Sequence, residues 1–442
     1  MKRTMILLLA LVLLSTGCSL DVDSYLHPPQ VGGQQQAVQA ALETYLRDSS
    51  GDVRYTLEYP VEGAYTAAFV LCDEQGFPVT DDTAARTALA FYSHASAPNV
   101  TRMNRLQRSG EDWVSVADTV GEGAAVRQVA FGDLDGDGNA EILTGWTTYS
   151  TGSYRLAVYG SEGGLTPISR DKVYSAFYVG DVTAAGYDSL LLLTVGGGDR
   201  VTASLETLRG GALTTLSTAS LDGGIRQFGG MTLCRLAEDV HGLFVDGFKA
   251  ENVTVTELIY YDATGLHTPF YDPATNANTA TVRMGRTAAR DVDGDALVEI
   301  PYNRVLEGHA ATDVGGTVTL WRSWDYATHT WQDGSYTLLN EADGYMVVLG
   351  DDQRTHLTTA YDTATRTLSL SDSRTATDWL WVSVGENTPP VADTDVHWVG
   401  IPLFPNKAGE SDYYAWYDPT VLTAEKIRYM VTRLQREGGA SR

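Results

Sequence analysis

Phe131-Gly132-Asp133-Leu134-Asp135-Gly136-Asp137-Gly138-Asn139-Ala140-Glu141-Ile142-Leu143 sets three alternate aspartates, turn glycines and a glutamate between two apolar, strand-like runs. Ca2+ takes about six to eight oxygen ligands in a flexible shell, and alternate acidic side chains on a tightly turned loop converge on one centre. By that geometry Asp133, Asp135 and Asp137 supply side-chain oxygens, Asn139 its backbone carbonyl and Glu141 the closing carboxylate, while Gly138 takes the sharp turn. An acidic, solvated hairpin turn without a metal is the plainer alternative.

The spacing follows an EF-hand loop only through its ninth position. It lacks the bidentate glutamate at the twelfth and the flanking helices, and the Ile142-Leu143-Thr144-Gly145-Trp146 that follows reads as strand. In this the stretch resembles the strand-loop-strand calcium site of FG-GAP and VCBS repeats, the family of integrin-type β-propeller blades, even to the Phe131-Gly132 ahead of the first aspartate. The resemblance implies a calcium-stabilised extracellular scaffold whose loops bind a partner, and it names no partner.

Two further stretches carry the same plan. Phe177 to Leu191 repeats the Gly-Asp start at Asp181, 48 residues beyond Asp133, but has Thr183 and Ala185 at the next ligand positions. It is expected to keep the hairpin and lack the metal. Asp291-Val292-Asp293-Gly294-Asp295-Ala296-Leu297-Val298-Glu299 retains all four acids, with Leu297 at the carbonyl position and Ala296 where the turn glycine belongs. A Cβ is costly where the backbone needs positive φ, so this second candidate site is expected to bind more weakly if it binds at all.

From 53 to 403 the chain consists of short β-rich runs separated by Gly, Asp, Asn and Thr turns, an all-β pattern. Relatives of the acidic hairpin at Gly230–Gly247, Gly344–Tyr361, Ala67–Tyr92 and Trp379–Ile401 bring the expected total to about seven four-stranded blades of a β-propeller. Tyr154–Gly160, Leu258–Asp262 and Thr317–Trp321 read as the third strands of such units. A β-sandwich pair is the alternative fold, which leaves the recurring acidic hairpin unexplained. Residues 34–47 space Val38, Ala41, Leu42 and Tyr45 on one face of an amphipathic helix. In the C-terminal extension, 404–442, Thr423 caps a second helix with Ile427, Met430, Val431 and Leu434 on its apolar face. Both helices are expected to pack at the propeller rim.

Residues 1–17 join Lys2 and Arg3 to an apolar run and end in Ser15-Thr16-Gly17 before Cys18, the form of a secretory signal peptide. A small residue before cysteine at this place resembles a bacterial lipobox, which implies diacylation of Cys18 and a tether over 18–33; plain secretion is the alternative. The run falls short of the roughly 20 apolar residues that span a bilayer. The expected location is therefore the bacterial cell envelope, outside the cytoplasm and anchored to the membrane by lipid.

With 31 Lys+Arg against 56 Asp+Glu, the chain carries a formal charge of −25. Such a surface repels nucleic acid, and protein or glycan ligands are the expected partners. Catalytic constellations are absent from the sequence: there is no zinc-protease motif, nucleophile elbow or Walker loop, and Ser169-Arg170-Asp171-Lys172 is only a formal Ser-x-x-Lys match in an expected turn. The leading expectation is a non-enzymatic, calcium-binding interaction scaffold without catalytic residues. The alternative is a surface carbohydrate-active enzyme, a hydrolase or lyase using carboxylates on a propeller face. Cys72 and Cys234 are open to pairing or to burial as separate thiols.

Overall fold

The computed structural model describes residues 33–47, 54–148, 154–160, 164–250, 252–310, 312–385, 398–406 and 411–434. The expected signal peptide, Cys18 and most of the expected tether lie outside the described residues. What is described is predominantly strand, in six antiparallel sheets of four or five strands. The strands are rich in Thr, Val and aromatic residues, which suit pleated surfaces packed on both sides.

The sheets follow one another along the chain. The first contains Tyr55–Leu57, Phe69–Cys72, Thr87–His94, Ala97–Ser109 and Asp112–Val120, and the second Ala125–Gly132, Glu141–Thr147, Tyr154–Tyr159 and Pro167–Tyr174. The third is Ala176–Gly180, Ser189–Val195, Val201–Arg209 and Ala212–Leu221; the fourth runs from Gln227–Ala237 through Val240–Ala250 and Val253–Asp262 to Gly265–His267, with Arg283–Met284 beside it. Ile300–Val305, Thr317–Asp325, Thr330–Asn340 and Tyr345–Leu349 build the fifth, and Val431–Arg433 adds to its last strand. Leu357–Asp362, Thr367–Asp372, Thr377–Val384, Tyr413–Tyr417 and Val399–Leu403 complete the sixth.

Apolar packing joins each sheet to the next. Val129 and Phe131 of the second sheet pack with Val70 and Phe91 of the first. Leu143 and Val158 meet Phe177, Leu190 and Leu208 of the third, and Leu191 and Val201 meet Leu243 and Ile259 of the fourth. Phe244 and Phe270 then pack with Ile300, and Val347 with Leu370 and Leu380. The core is thus a series of sheet-to-sheet seams. Among the described residues no apolar cluster joins the sixth sheet to the first.

The expectation of about seven units differs from the six sheets for an identifiable reason. Tyr345–Leu349 is the fourth strand of the fifth sheet and Leu357–Asp362 opens the sixth, so the apparent unit at Gly344–Tyr361 straddles two sheets. Its Asp351–Asp352 loop is a single helical turn, Asp351–Thr355. The apparent unit at Trp379–Ile401 supplies later strands of that sixth sheet.

The N-terminal helix α1, Gly33–Leu46, buries Val38 and Leu42 among Phe69, Tyr92, Leu106 and Trp113 of the first sheet. Helix α2 is Asp351–Thr355, and α3 is Ala424–Met430, capped by the Thr423 hydroxyl, which accepts from the Lys426 N–H at 3.3 Å. α3 is shorter than the periodicity predicts. From Val431 the backbone is extended, because its N–H and C=O groups find partners on the free edge of Tyr345–Leu349. Cys72 and Cys234 are separate thiols, in the first and fourth sheets, and burial pushes Cys72 up to about 12.

Candidate metal centres and a carboxylate cleft

The first acidic loop joins Ala125–Gly132 to Glu141–Thr147, whose register pairs Phe131 with Ile142 and Gly132 with Glu141. Asp133 acts first as a structural staple. Its carboxylate accepts the N–H groups of Gly136 at 2.7 Å, Asp137 at 3.2 Å and Gly138 at 2.9 Å. Asp135 and Asp137 accept the N–H groups two residues on, at 3.2 and 2.7 Å. Gly136 and Gly138 have φ of +79° and +85°, where a Cβ would be strained, so the turn needs two glycines. Glu141 is buried and its Oε2 accepts the Leu134 N–H at 2.9 Å. Burial pushes its carboxyl up to about 7; the Leu134 N–H opposes that rise and the charges of Asp135, Asp137 and Asp133 add to it.

One oxygen each from Asp133, Asp135 and Glu141 lies within 4.8 Å of the others. Asp137 falls outside that group of three, and its Oδ1 accepts the Asn139 N–H. The donor set is all oxygen, the choice of hard cations such as Ca2+ and Mg2+. The like charges gathered there, with a carboxyl hard to ionise, fit a dication.

The second acidic loop repeats the geometry between the Arg290–Glu299 bridge positions. Asp291 accepts from Gly294 at 2.7 Å and Ala296 at 3.0 Å, Asp293 from Asp295 at 3.3 Å, and Asp295 from Leu297 at 2.8 Å. Glu299 Oε2 accepts the Val292 N–H at 2.9 Å, and burial lifts its carboxyl to about 7. Here Asp291, Asp293 and Asp295 are the three that converge, all exposed, while Glu299 is outside the group. Ala296 has φ of +69°, the strained geometry its Cβ predicts. The Asp181 loop keeps only the staple: its carboxylate accepts from Ala185 at 2.8 Å and Gly186 at 2.9 Å. No metal-capable group forms there among the described residues.

The loops are also tied sideways. The Ala140 N–H donates to Gln75 O at 2.8 Å, linking the first sheet to the Asp133 loop. Asp246 of the fourth sheet is buried, pairs with Arg283 at 2.9 Å and accepts the Ala289 N–H at 3.1 Å just before Asp291.

A feature that sequence reasoning missed lies at the sixth sheet. Asp352, His356, Asp372, Asp378 and Trp379 line a cleft of about 250 Å³ between α2, the 372–377 turn and Val421. Arg374 pairs with Asp372 and reaches Asp352 at 3.2 Å. Its hydrogen bonds hold Asp372 down at about 2, so this carboxylate stays ionised and can accept hydrogen bonds from hydroxyl groups. Asp378 accepts from Ser371 and from Trp381 Nε1 at 2.8 Å. These residues are brought together only by strand pairing, and the Thr-rich turn that holds them has no motif. The Ser169–Lys172 match lies within the strand Pro167–Tyr174 rather than in a turn, with Lys172 paired to buried Glu206 at 3.2 Å.

No protein-family model and no curated protein matches the chain. Solved structures do. The exotype rhamnogalacturonan lyase YesX matches with a TM-score of 0.31 and 11% identity over 84% of this chain and 73% of the lyase. A putative 6-phosphogluconolactonase from Bacteroides uniformis matches with a TM-score of 0.31 and 10% identity, over 72% of this chain and 85% of that one. An exo-beta-1,3-galactanase from Phanerochaete chrysosporium gives 0.28 and 9%, over 86% and 92%. These matches assign no activity to this chain. The expectation of a non-enzyme is corrected here, since the rhamnogalacturonan lyase and the galactanase among these matches are enzymes.

Proposed function

We propose that the chain is a calcium-binding β-propeller protein of the bacterial envelope, held to a membrane by a lipid on Cys18, in which ions pin the hairpins of its sheets. The observation that supports the metal reading is the repeated convergence of three carboxylates within 4.8 Å on loops whose backbone N–H groups are already satisfied. Calcium would be held by Asp133, Asp135 and Glu141, with Asp137 and the Asn139 carbonyl completing the shell, and more weakly by Asp291, Asp293 and Asp295, with the Leu297 carbonyl and Glu299.

The test is a thermal melt and calorimetric titration with CaCl2, with MgCl2 and with chelator. At a calcium concentration a hundredfold above Kd, binding to the folded state adds about 2.7 kcal/mol per site. Asp135→Ala is expected to lose the larger part of the calcium-dependent rise in Tm, and Asp135→Ala combined with Asp293→Ala all of it. A rise retained in the double variant rejects these ligands.

The carboxylate cleft supports a second reading, a surface carbohydrate-active enzyme. Ionised Asp372, with Asp352, Asp378 and His356 beside Trp379, offers acceptors for sugar hydroxyls. Release of new reducing ends or unsaturated products from a panel of plant and bacterial polysaccharides tests it. No product from any of them rejects the enzyme reading for that panel.

A further inference from the structure

The first acidic loop reaches across a seam that the second does not share in the same way. Beyond its own hairpin and the Ala140–Gln75 bond toward the first sheet, its hydrogen-bond partners lie in the third sheet and its approach. The Asp133 N–H donates to Asp188 Oδ2 at 3.1 Å, and the Asp188 N–H returns to Asp133 O at 2.8 Å. Leu134 is fully buried against Phe177, Leu190 and Leu208. Its carbonyl accepts both the Thr207 hydroxyl and the Leu208 N–H at 3.1 Å. A Cβ on Gly132 would lie 2.8 Å from Asp188 Oδ2, so the absence of a side chain there is what lets the carboxylate approach. The carboxylates of the second loop likewise accept within Asp291–Glu299, and its Val298 backbone meets Cys234 of the preceding, fourth sheet.

We infer that Asp188 is a positioning residue for the metal at Asp133, Asp135 and Glu141, and that occupancy of this loop sets the tightness of the seam between the second and third sheets. This rests on the calcium reading above. The physical reason is that Asp188 orients the backbone of the residue that staples the loop. Partners that orient ligands from outside the coordination shell typically change metal affinity by about 10–100-fold when removed. The same bonds run in reverse: an ion that fixes Asp133 and Leu134 also fixes the acceptor for Thr207 and Leu208.

The test uses the full chain carrying Asp293→Ala, so that calorimetric heat reports the first loop. Adding Asp188→Ala is expected to weaken calcium binding by about 10–100-fold, with Asp188→Asn, which keeps an acceptor oxygen, falling between. Hydrogen exchange without the Asp188 substitution gives a readout independent of whether that variant folds. The Leu208 and Asp188 amides are expected to exchange at least tenfold faster in chelator than in calcium, while amides of the sixth sheet do not change. Unaltered affinity in Asp188→Ala, or equal exchange at Leu208 with and without calcium, overturns the coupling while leaving the metal reading intact. No calcium heat in the parent overturns both.

Discussion

Glu257 is fully buried in the fourth sheet, and one of its oxygens, Oε2, has no hydrogen-bond partner. The other accepts the Asp222 N–H at 2.9 Å, and Asp222, equally buried, takes the Lys249 ammonium at 2.8 Å. Lys249 thus pairs with one of two buried carboxylates and leaves Glu257 without an ion-pair partner of its own among the described residues. Burial pushes Glu257 up to about 7, the Asp222 N–H opposes the rise and the Asp222 charge adds to it. A carboxyl raised on folding binds its proton more tightly in the native state, so its stabilising effect is complete below about 4.5 and is lost as pH rises through about 7. With calcium saturating, so that the acids of the metal loops are held ionised, Tm is expected to fall between pH 5 and 8. In Glu257→Gln, which keeps the shape and cannot ionise, that fall is expected to flatten. An equal slope in both proteins, followed by circular dichroism melts, assigns the effect elsewhere.

The acidic hairpins were the most legible elements, because their chemistry is local. Alternating carboxylates staple N–H groups two to five residues away, and such spacing is written directly in the chain. Ala296 shows the same legibility in energetic terms, since its left-handed backbone follows from its place in the repeat. Ala296→Gly is expected to stabilise the second loop by roughly 0.5–1 kcal/mol and to tighten its calcium binding severalfold, read by calorimetry in the Asp135→Ala background. Legibility ends where partners are distant. Asp188, the Asp246–Arg283 pair and the Asp372 cleft depend on which strand lies next to which, and no local pattern announces it. The C-terminal helix ends earlier than its periodicity for that reason: Val431 and Leu434 have helical spacing, yet the extended backbone wins by completing a ladder with Tyr345–Leu349.

At the scale of the molecule, the six consecutive sheets among the described residues are joined by apolar seams in a series of nearest-neighbour contacts, and Leu134 of the first acidic loop is buried at one seam while the aspartates of the second are exposed. Counting units from recurring hairpins gives about seven against six sheets among the described residues, because a fourth strand and the next first strand, one helical turn apart, mimic a hairpin. One strand has a role opposite to that of the others. Val431–Arg433 arrives from far along the chain and lies antiparallel on Tyr345–Leu349, with Tyr345 opposite Arg433. A sheet margin with open N–H and C=O groups is a template for any passing chain. The clasp of three residues therefore acts as a sheath against self-recruitment. A chain ending at Met430, which keeps α3 and its buried Ile427 and Met430 but lacks the clasp, is expected to keep its six sheets but to form concentration-dependent oligomers in sedimentation velocity, where the full chain stays at one mass. If the shortened chain also stays at one mass, that margin needs no sheath.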